Sequence, residues 1–306
     1  MSGCCVVALE VDARGCLFGG SRRALSFASF PGERLFSKKL KVEIDSFNRD
    51  TVNALSEVKI YGHLSDNFNN TFQVQDSMIR VVYTEYDDFD DKYGHMYYKT
   101  PYSYYKLRFD YRFIEEQTSG GENWNIRNSG VMIHSQSAKS NAFEQHFPVS
   151  LEIQLLGGLN KGERTTANLC TPGTAVYFND KLDYTHCITS ESKTYNGDQW
   201  VHVEAIILGN ESILHIVQND TVLKYTRPEI DSSFLSKDYK GKDWDNFGVT
   251  NKEIWLDKAG KPIGEGYIAL QAESHPIDFK NIEKTMEKTY FLSVVKLKFG
   301  WSVIIC

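Results

Sequence analysis

The sequence predicts an all-β protein, an antiparallel sandwich or barrel, and it does so through three observations. First, from about residue 55 onward, short alternating runs follow one another between turn residues: FQVQDSMIRVVY, HMYYKT, YKLRFDYRF, GVMIHSQ, LEIQLLGG, AVYFND, WVHVEAIIL, ILHIVQND and YIALQAE. Alternation places successive side chains on opposite faces of a strand, and turn residues at this spacing close hairpins. Second, aromatic residues make up 13% of the chain, with 17 Tyr and 18 Phe, types that pack well on a pleated surface. Third, sustained helical periodicity is scarce, and no repeat of solenoid or propeller type is present.

The runs can be justified in chain order. FQVQDSMIRVVY reads as two strands around Asp-Ser, and YKLRFDYRF as a long half-buried strand. In NSGVMIHSQ, Val131 and Ile133 share the core face while Met132 and His134 share the other. In SLEIQLLGG, the core set is Leu151, Ile153 and Leu155, and Glu152 and Gln154 point away. Asn-Asp-Thr-Val and Tyr-Asn-Gly-Asp-Gln-Trp are hairpin signals, and Trp200, which opens the run WVHVE, is expected in the core. A charged, Gly-rich segment, residues 237–266, breaks the rhythm and is expected as a long loop before the last hairpin. In that hairpin, GYIALQAESHPIDFKNIEK, Ile268 and Leu270 point inward and Gln271 and Glu273 outward, with His275 in the turn. If these strands are neighbours, His134, Glu152, Gln154, Gln271 and Glu273 line one polar surface. The competing reading is that an antiparallel sheet simply wets one face.

Composition narrows the function. The chain has 306 residues, 41% of them hydrophobic, enough for a substantial core. The net charge of −6 comes without a long basic block, which argues against nucleic acid as a partner. No run is long and apolar enough to span a membrane; YFLSVVKLKFGWSVIIC is interrupted by Lys296 and Lys298. The opening MSGCCVVALEVDARGCLFGG lacks the sustained apolar stretch of an export signal. The motifs of zincins, serine hydrolases and nucleotide-binding loops are absent, and LEIQL offers one acid, not the closely spaced pair of a conventional retaining glycosidase. The acidic run EYDDFDD (85–91) reads as solvated turn residues or a hard-cation site, and the Tyr-rich YGHMYYKTPYSYYK as strand cover or sugar-stacking rings. Cys170 and Cys187 bracket a hairpin-like stretch; a disulfide closing it and two reduced thiols both fit the spacing.

Taken together, these segments resemble the 3-keto-disaccharide hydrolase domain family. The ordered landmarks are MYYKTPYSYYKLRFDYRF, RNSGVMIHSQ, PVSLEIQLLGG, GDQWVHVEAIILGNESILHIVQNDTVLKY and GYIALQAESHPIDFKNIE. The resemblance implies a jelly roll of the concanavalin/laminin-G type over residues 46–284, with residues 1–45 as an N-terminal extension and 285–306 as a C-terminal tail. It implies a glycoside or oligosaccharide substrate carrying a ketone at sugar carbon 3. Such a ketone acidifies the C2 proton, so the glycosidic bond breaks by elimination of the aglycone, which one acid suffices to start. Under this resemblance Glu152 is the base or a cation-holding carboxylate, and His134 the acid or carbonyl polariser. Gln154, Asn128 and Gln271 orient sugar hydroxyls, with Glu273 and His275 as further contacts. A divalent cation bridging Glu and His is compatible with enolate chemistry. The stretch NLCTPGTAVYFND…HC resembles the secreted branch of the family, which implies the Cys170–Cys187 bridge and a periplasmic or extracellular location. The alternative function is a lectin-like module that binds sugar without cutting it. A structural or adhesive sandwich with no small-molecule site is the other rival.

Overall fold

Two antiparallel sheets face each other in a computed structural model that describes residues 40–41, 56–60, 63–64, 67–142, 144–231, 249 and 252–285. With strands numbered in chain order, the eight-stranded sheet runs β13 (Cys187–Ile188), β10 (Asn168–Cys170), β9 (Leu151–Leu156), β8 (Asn128–Ser135), β17 (Tyr267–Ala272), β6 (Gly94–Tyr98), β2 (Ser56–Ile60) and β3 (His63–Leu64). The ten-stranded sheet runs β12 (Lys181–Asp183), β11 (Thr174–Phe178), β16 (Asp220–Ile230), β15 (Ser212–Val217), β14 (Val201–Leu208), β7 (Tyr104–Phe113), β18 (Ile277–Thr285), β5 (Met78–Val81) and β4 (Phe72–Gln75), with β1 (Leu40–Lys41) also on β18. This is the all-β jelly roll the sequence predicts.

Its hairpins follow the turn chemistry. Asp76 and Ser77 between β4 and β5, Asn179 and Asp180 between β11 and β12, and Gln218 and Asn219 between β15 and β16 all have positive φ. A two-residue turn with both centres left-handed matches the twist of the strands it joins. Tyr-Asn-Gly-Asp-Gln-Trp behaves differently: it forms the approach to β14, bridged to Gly158 through Asn196, and closes no hairpin.

The core lies between the sheets. One layer is Tyr105, Leu107, Phe109, Tyr111 and Phe113 of β7 beside Val201, Val203, Ala205 and Ile207 of β14; the other is Val131, Ile133, Leu151, Ile153, Leu155, Leu169 and Leu270. On β7 and β14 burial alternates strictly, so the outer face of the ten-stranded sheet is wet. Trp200 belongs to that outer face, where it is half-buried between the Arg112 guanidinium, 4.6 Å from the ring centroid, and the Lys280 ammonium, 3.7 Å away. The expectation of a core tryptophan is thus corrected: it stops just before β14 begins and serves two cations instead. The same face carries Asp278, fully buried and held by Arg80 and Arg112.

On β8 every residue is buried. Both faces of the eight-stranded sheet are covered there, one by the core and the other by loops, and this covered outer face is where the site forms. The long segment before the last hairpin contains a short helix, α1 (Lys252–Leu256), whose Trp255 packs with Val149, Ile230 and Val249 in a satellite cluster. The expected N-terminal extension and C-terminal tail, with Cys4, Cys5, Cys16 and Cys306, lie outside the described residues except for β1 and Thr285. Among the described residues, no helix is long and apolar enough to cross a membrane.

Candidate active site

Strand register brings the polar residues together. Gln154 is opposite Asn168 on one side and Gly130 on the other, and Leu270 opposite Val131 sets Gln271 beside Gly130 in turn. Gln271 then pairs with His95 of β6. A polar row therefore crosses the sheet with a glycine at its centre. That glycine has a steric reason: a Cβ on Gly130 would lie 2.3 Å from Oε1 of Glu152 and 2.7 Å from its Cγ. Glu152, one register step away opposite Met132, leans across the gap that Gly130 leaves.

Above this row lies a cavity of about 790 Å3 whose lining includes Asn128, Glu152, Gln154, Arg164 and Glu273, with Cys170 and Cys187 in one wall. That size suits a sugar pair or a small glycoside. Glu152 and Glu273 are 6% and 2% exposed. Burial lifts the Glu152 carboxyl to about 8, because a charge there is poorly solvated. Glu273 is pushed well above the ordinary range by burial first and by the neighbouring Glu152 charge second, with Arg164 pulling the other way. The two acids titrate as a pair, and at neutral pH the pair holds protons. Arg164 is anchored by donating to the carbonyls of Gly157 at 2.7 Å and Arg127 at 3.2 Å.

The polar partners are placed by hydrogen bonds. Gln154 accepts from Asn168 at 3.1 Å, and Asn128 donates to the carbonyl of Trp124 at 3.3 Å. Asn128 keeps a buried side-chain oxygen with no partner, and Gln271, fully buried, has neither amide atom paired. Such groups are costly to bury unsatisfied and fit positions completed by water or ligand. Cys170 is opposite both Glu152 and Cys187, and the two cysteines are joined in a disulfide, so the bridge lies in the cavity wall.

Of the residues expected to share one surface, Glu152, Gln154 and Glu273 line the cavity, joined by Asn128, whereas Gln271 is fully buried and is not part of the lining. His134 does not join them, and the expected pairing of its imidazole with Glu152 is corrected. Between Ser135 and Met132, Ile133 and His134 of β8 oppose the single residue Ile268 of β17, a bulge at which His134 has φ 49°. The ring turns away and donates from Nε2 to the carbonyl of Gly209 at 2.9 Å, at the ten-stranded sheet. Burial lowers its pKa to about 4. Gly266 permits this, since a Cβ there would come within 2.3 Å of the His134 backbone. A cation bridging Glu152 and His134 is accordingly not supported by the placement of the two side chains. Among the described residues, no group of three or more His, Cys, Asp and Glu side chains gathers as a metal centre. His275 is buried against the Phe113 ring at 5.5 Å, its pKa lowered to about 4 by burial and then by Arg127; it is not part of the cavity lining.

Sequence reasoning missed Arg164, Trp124, His146 and Phe147, which also line the cavity, as does Tyr93 from the Tyr-rich run YGHMYYKTPYSYYK. All come from loops or turns, where no period marks a side chain's direction. The one available signal was an unexplained Trp in ENWNIRNSG, just ahead of the strand that carries Asn128.

Among solved structures, a candidate glycosyl hydrolase from Parabacteroides distasonis matches at 17% identity and TM-score 0.41, covering 75% of this chain and 99% of its own. The carbohydrate-binding module CBM66 from Bacillus subtilis matches at 9% identity and TM-score 0.41, covering 76% and 96%. A β-glucanase from Bacillus licheniformis matches at 10% identity and TM-score 0.40, covering 80% and 96%. No curated protein matches the chain in sequence. The model of the 3-keto-alpha-glucoside-1,2-lyase-like domain matches residues 47–284, and the chain belongs to that family.

Proposed function

We propose that this protein is a carbohydrate-active enzyme that cleaves 3-keto-glycosides by eliminating the aglycone across C1 and C2. The observation that carries the reading is the pair of buried carboxyls, Glu152 and Glu273, that line one sugar-sized cavity. The ketone makes the C2 proton acidic, and the carboxyl pair removes it in its singly ionised form, which the burial of Glu152 makes a minor species at neutral pH. Negative charge then develops on the ketone oxygen, where Arg164 supplies nearby positive charge. The C1–O bond breaks as the C1=C2 bond forms, and the partner carboxyl, still protonated, gives its proton to the leaving oxygen. Asn128 and Gln154 orient sugar hydroxyls. Water adding to the product would give net hydrolysis.

This assignment moves the acid role from His134 to the second carboxyl, because His134 is spent on the Gly209 carbonyl. A divalent cation on the carboxyl pair would ionise both acids, so a chelator belongs in the assay. The Cys170–Cys187 bridge favours an oxidising compartment, the periplasm or the cell exterior.

The test is release of aglycone from a 3-keto-glucoside by wild type, Glu152→Gln and Glu273→Gln, with and without chelator. Turnover by wild type, lost in both variants while sugar binding persists, supports the enzyme. Binding without release from any 3-keto donor leaves a carbohydrate-binding module and removes the elimination reading.

A further inference from the structure

One wall of the cavity is aromatic, and the elimination chemistry does not use it. Trp124 is 51% exposed at the mouth, an unusual position for an indole that could have joined the core. It does not hang free. The Tyr93 ring lies parallel beneath it, 6.2 Å between centroids and 11° between planes, and Phe147 flanks it at 6.5 Å. Tyr93 is itself fixed, 3% exposed, packed against His146 at 5.0 Å and Phe147 at 4.9 Å, and accepting a hydrogen bond from Asn125 at 3.0 Å. The indole is thus presented to solvent on a rigid backing, on the turn Asn123–Asn125 that leads directly into β8 and Asn128.

Depth separates this platform from the acids. The reacting half of a glycoside must sit where the buried Glu152 and Glu273 reach C2, at the cavity floor. The other half then extends toward the exposed mouth and meets Trp124. Asp91 and Glu122 also line the cavity and are exposed, so the mouth is acidic as well as aromatic. Building on the elimination reading above, we propose that Trp124, backed by Tyr93, is the aglycone subsite, and that it selects an uncharged aglycone bearing a ring with an apolar face. A pyranose and an aryl group share that chemistry. A small alkyl aglycone has nothing to stack, and a phosphorylated one is repelled by Asp91 and Glu122.

The experiment compares 3-keto-glucosides that differ only in aglycone: methyl, glucosyl, 4-nitrophenyl and 6-phosphoglucosyl. In wild type the glucosyl and 4-nitrophenyl donors are expected to exceed the methyl donor by about tenfold in kcat/KM, with the phosphorylated donor below the glucosyl one. Trp124→Ala is expected to remove that advantage through KM, lowering kcat/KM for the ring-bearing donors by a larger factor than for the methyl donor, and Trp124→Phe to restore most of it. Equal kcat/KM for methyl and ring donors in wild type would overturn the proposal, as would an equal loss on all donors in Trp124→Ala. The same glycosides without the ketone, titrated by calorimetry, keep the subsite testable if no 3-keto donor turns over. Tighter binding of the ring-bearing glycosides by wild type and not by Trp124→Ala sustains the subsite while the elimination reading falls; no difference overturns the subsite too.

Discussion

Glu152→Gln should make the protein more stable while it stops turnover. In the unfolded chain this carboxyl ionises through its ordinary value of 4.5, but in the folded protein burial delays ionisation to about 8. Between those values the unfolded state is favoured by losing a proton that the folded state must keep. Stability therefore falls as pH rises from 4.5 to 8, and the penalty vanishes below 4.5. At about 1.36 kcal/mol per pKa unit, the cost at neutral pH is roughly 3 kcal/mol. Glutamine keeps the shape and cannot ionise, so it avoids that cost, less whatever its amide loses in hydrogen bonding. The expected gain is about 2–3 kcal/mol near pH 7, or roughly 5–10 °C in Tm for a domain of this size. Thermal melts of wild type and variant from pH 4 to 8.5 measure it. The variant should gain most at the alkaline end and nothing at pH 4.5, with a shallower residual slope from Glu273. A variant no more stable than wild type at pH 8, or a gain of the same size at every pH, would refute the assignment of Glu152 as a buried neutral acid.

Other perturbations test other parts of the structure. His134, His215 and His275 all have pKa values lowered to about 4, each chiefly by burial, so stability present above 6.5 should drain away as pH falls through 4. Acid titration by circular dichroism checks this, and the loss should be steeper in Glu152→Gln, which lacks the opposing gain from carboxyl protonation. Gly130→Ala should fold, because the atoms it strikes all belong to the one side chain of Glu152 and none to backbone, but it displaces the Glu152 carboxyl and should lower kcat at least tenfold. Reducing the Cys170–Cys187 bridge, a sequence separation of 17, should cost about 2–4 kcal/mol and weaken sugar binding, since both cysteines line the cavity; melts and calorimetry with and without reductant measure both. Asp278→Ala should be among the most destabilising single changes, on the order of 3–5 kcal/mol, because it strands Arg80 and Arg112 around a buried position.

The parts of this protein that were legible in its sequence are those governed by strand alternation. Val131, Ile153 and Leu270 point inward because a pleat leaves them no alternative, and Glu152, Gln154 and Glu273 follow from the same parity. His134 escaped because a single extra residue in β8 breaks the parity, and nothing within NSGVMIHS marks a bulge. Its enabling residue, Gly266, is distant in sequence and is recognisable only once β8 and β17 are adjacent. Gly130 was visible as a glycine but not as the space that holds a carboxyl. Trp124 and Arg164 were hidden for a different reason: loop residues take their directions from tertiary contacts such as those of Arg164 with the carbonyls of Gly157 and Arg127. Trp200 is expected in the core because it opens the strand run WVHVE, whereas two cations compete successfully for its faces.

The disulfide also bears on how the protein avoids sticking to itself. The chain between Cys170 and Cys187 leaves the eight-stranded sheet, contributes β11 and β12 to the ten-stranded one, and returns as β13. β12 and β13 are the terminal strands of the two sheets on that side. Unpaired strand edges are templates for intermolecular pairing. Here both edges belong to one covalent ring, so neither can peel outward to recruit a neighbour without carrying the other, and each is only two or three residues long. Loss of the bridge would be felt as aggregation during refolding as well as in the melting temperature.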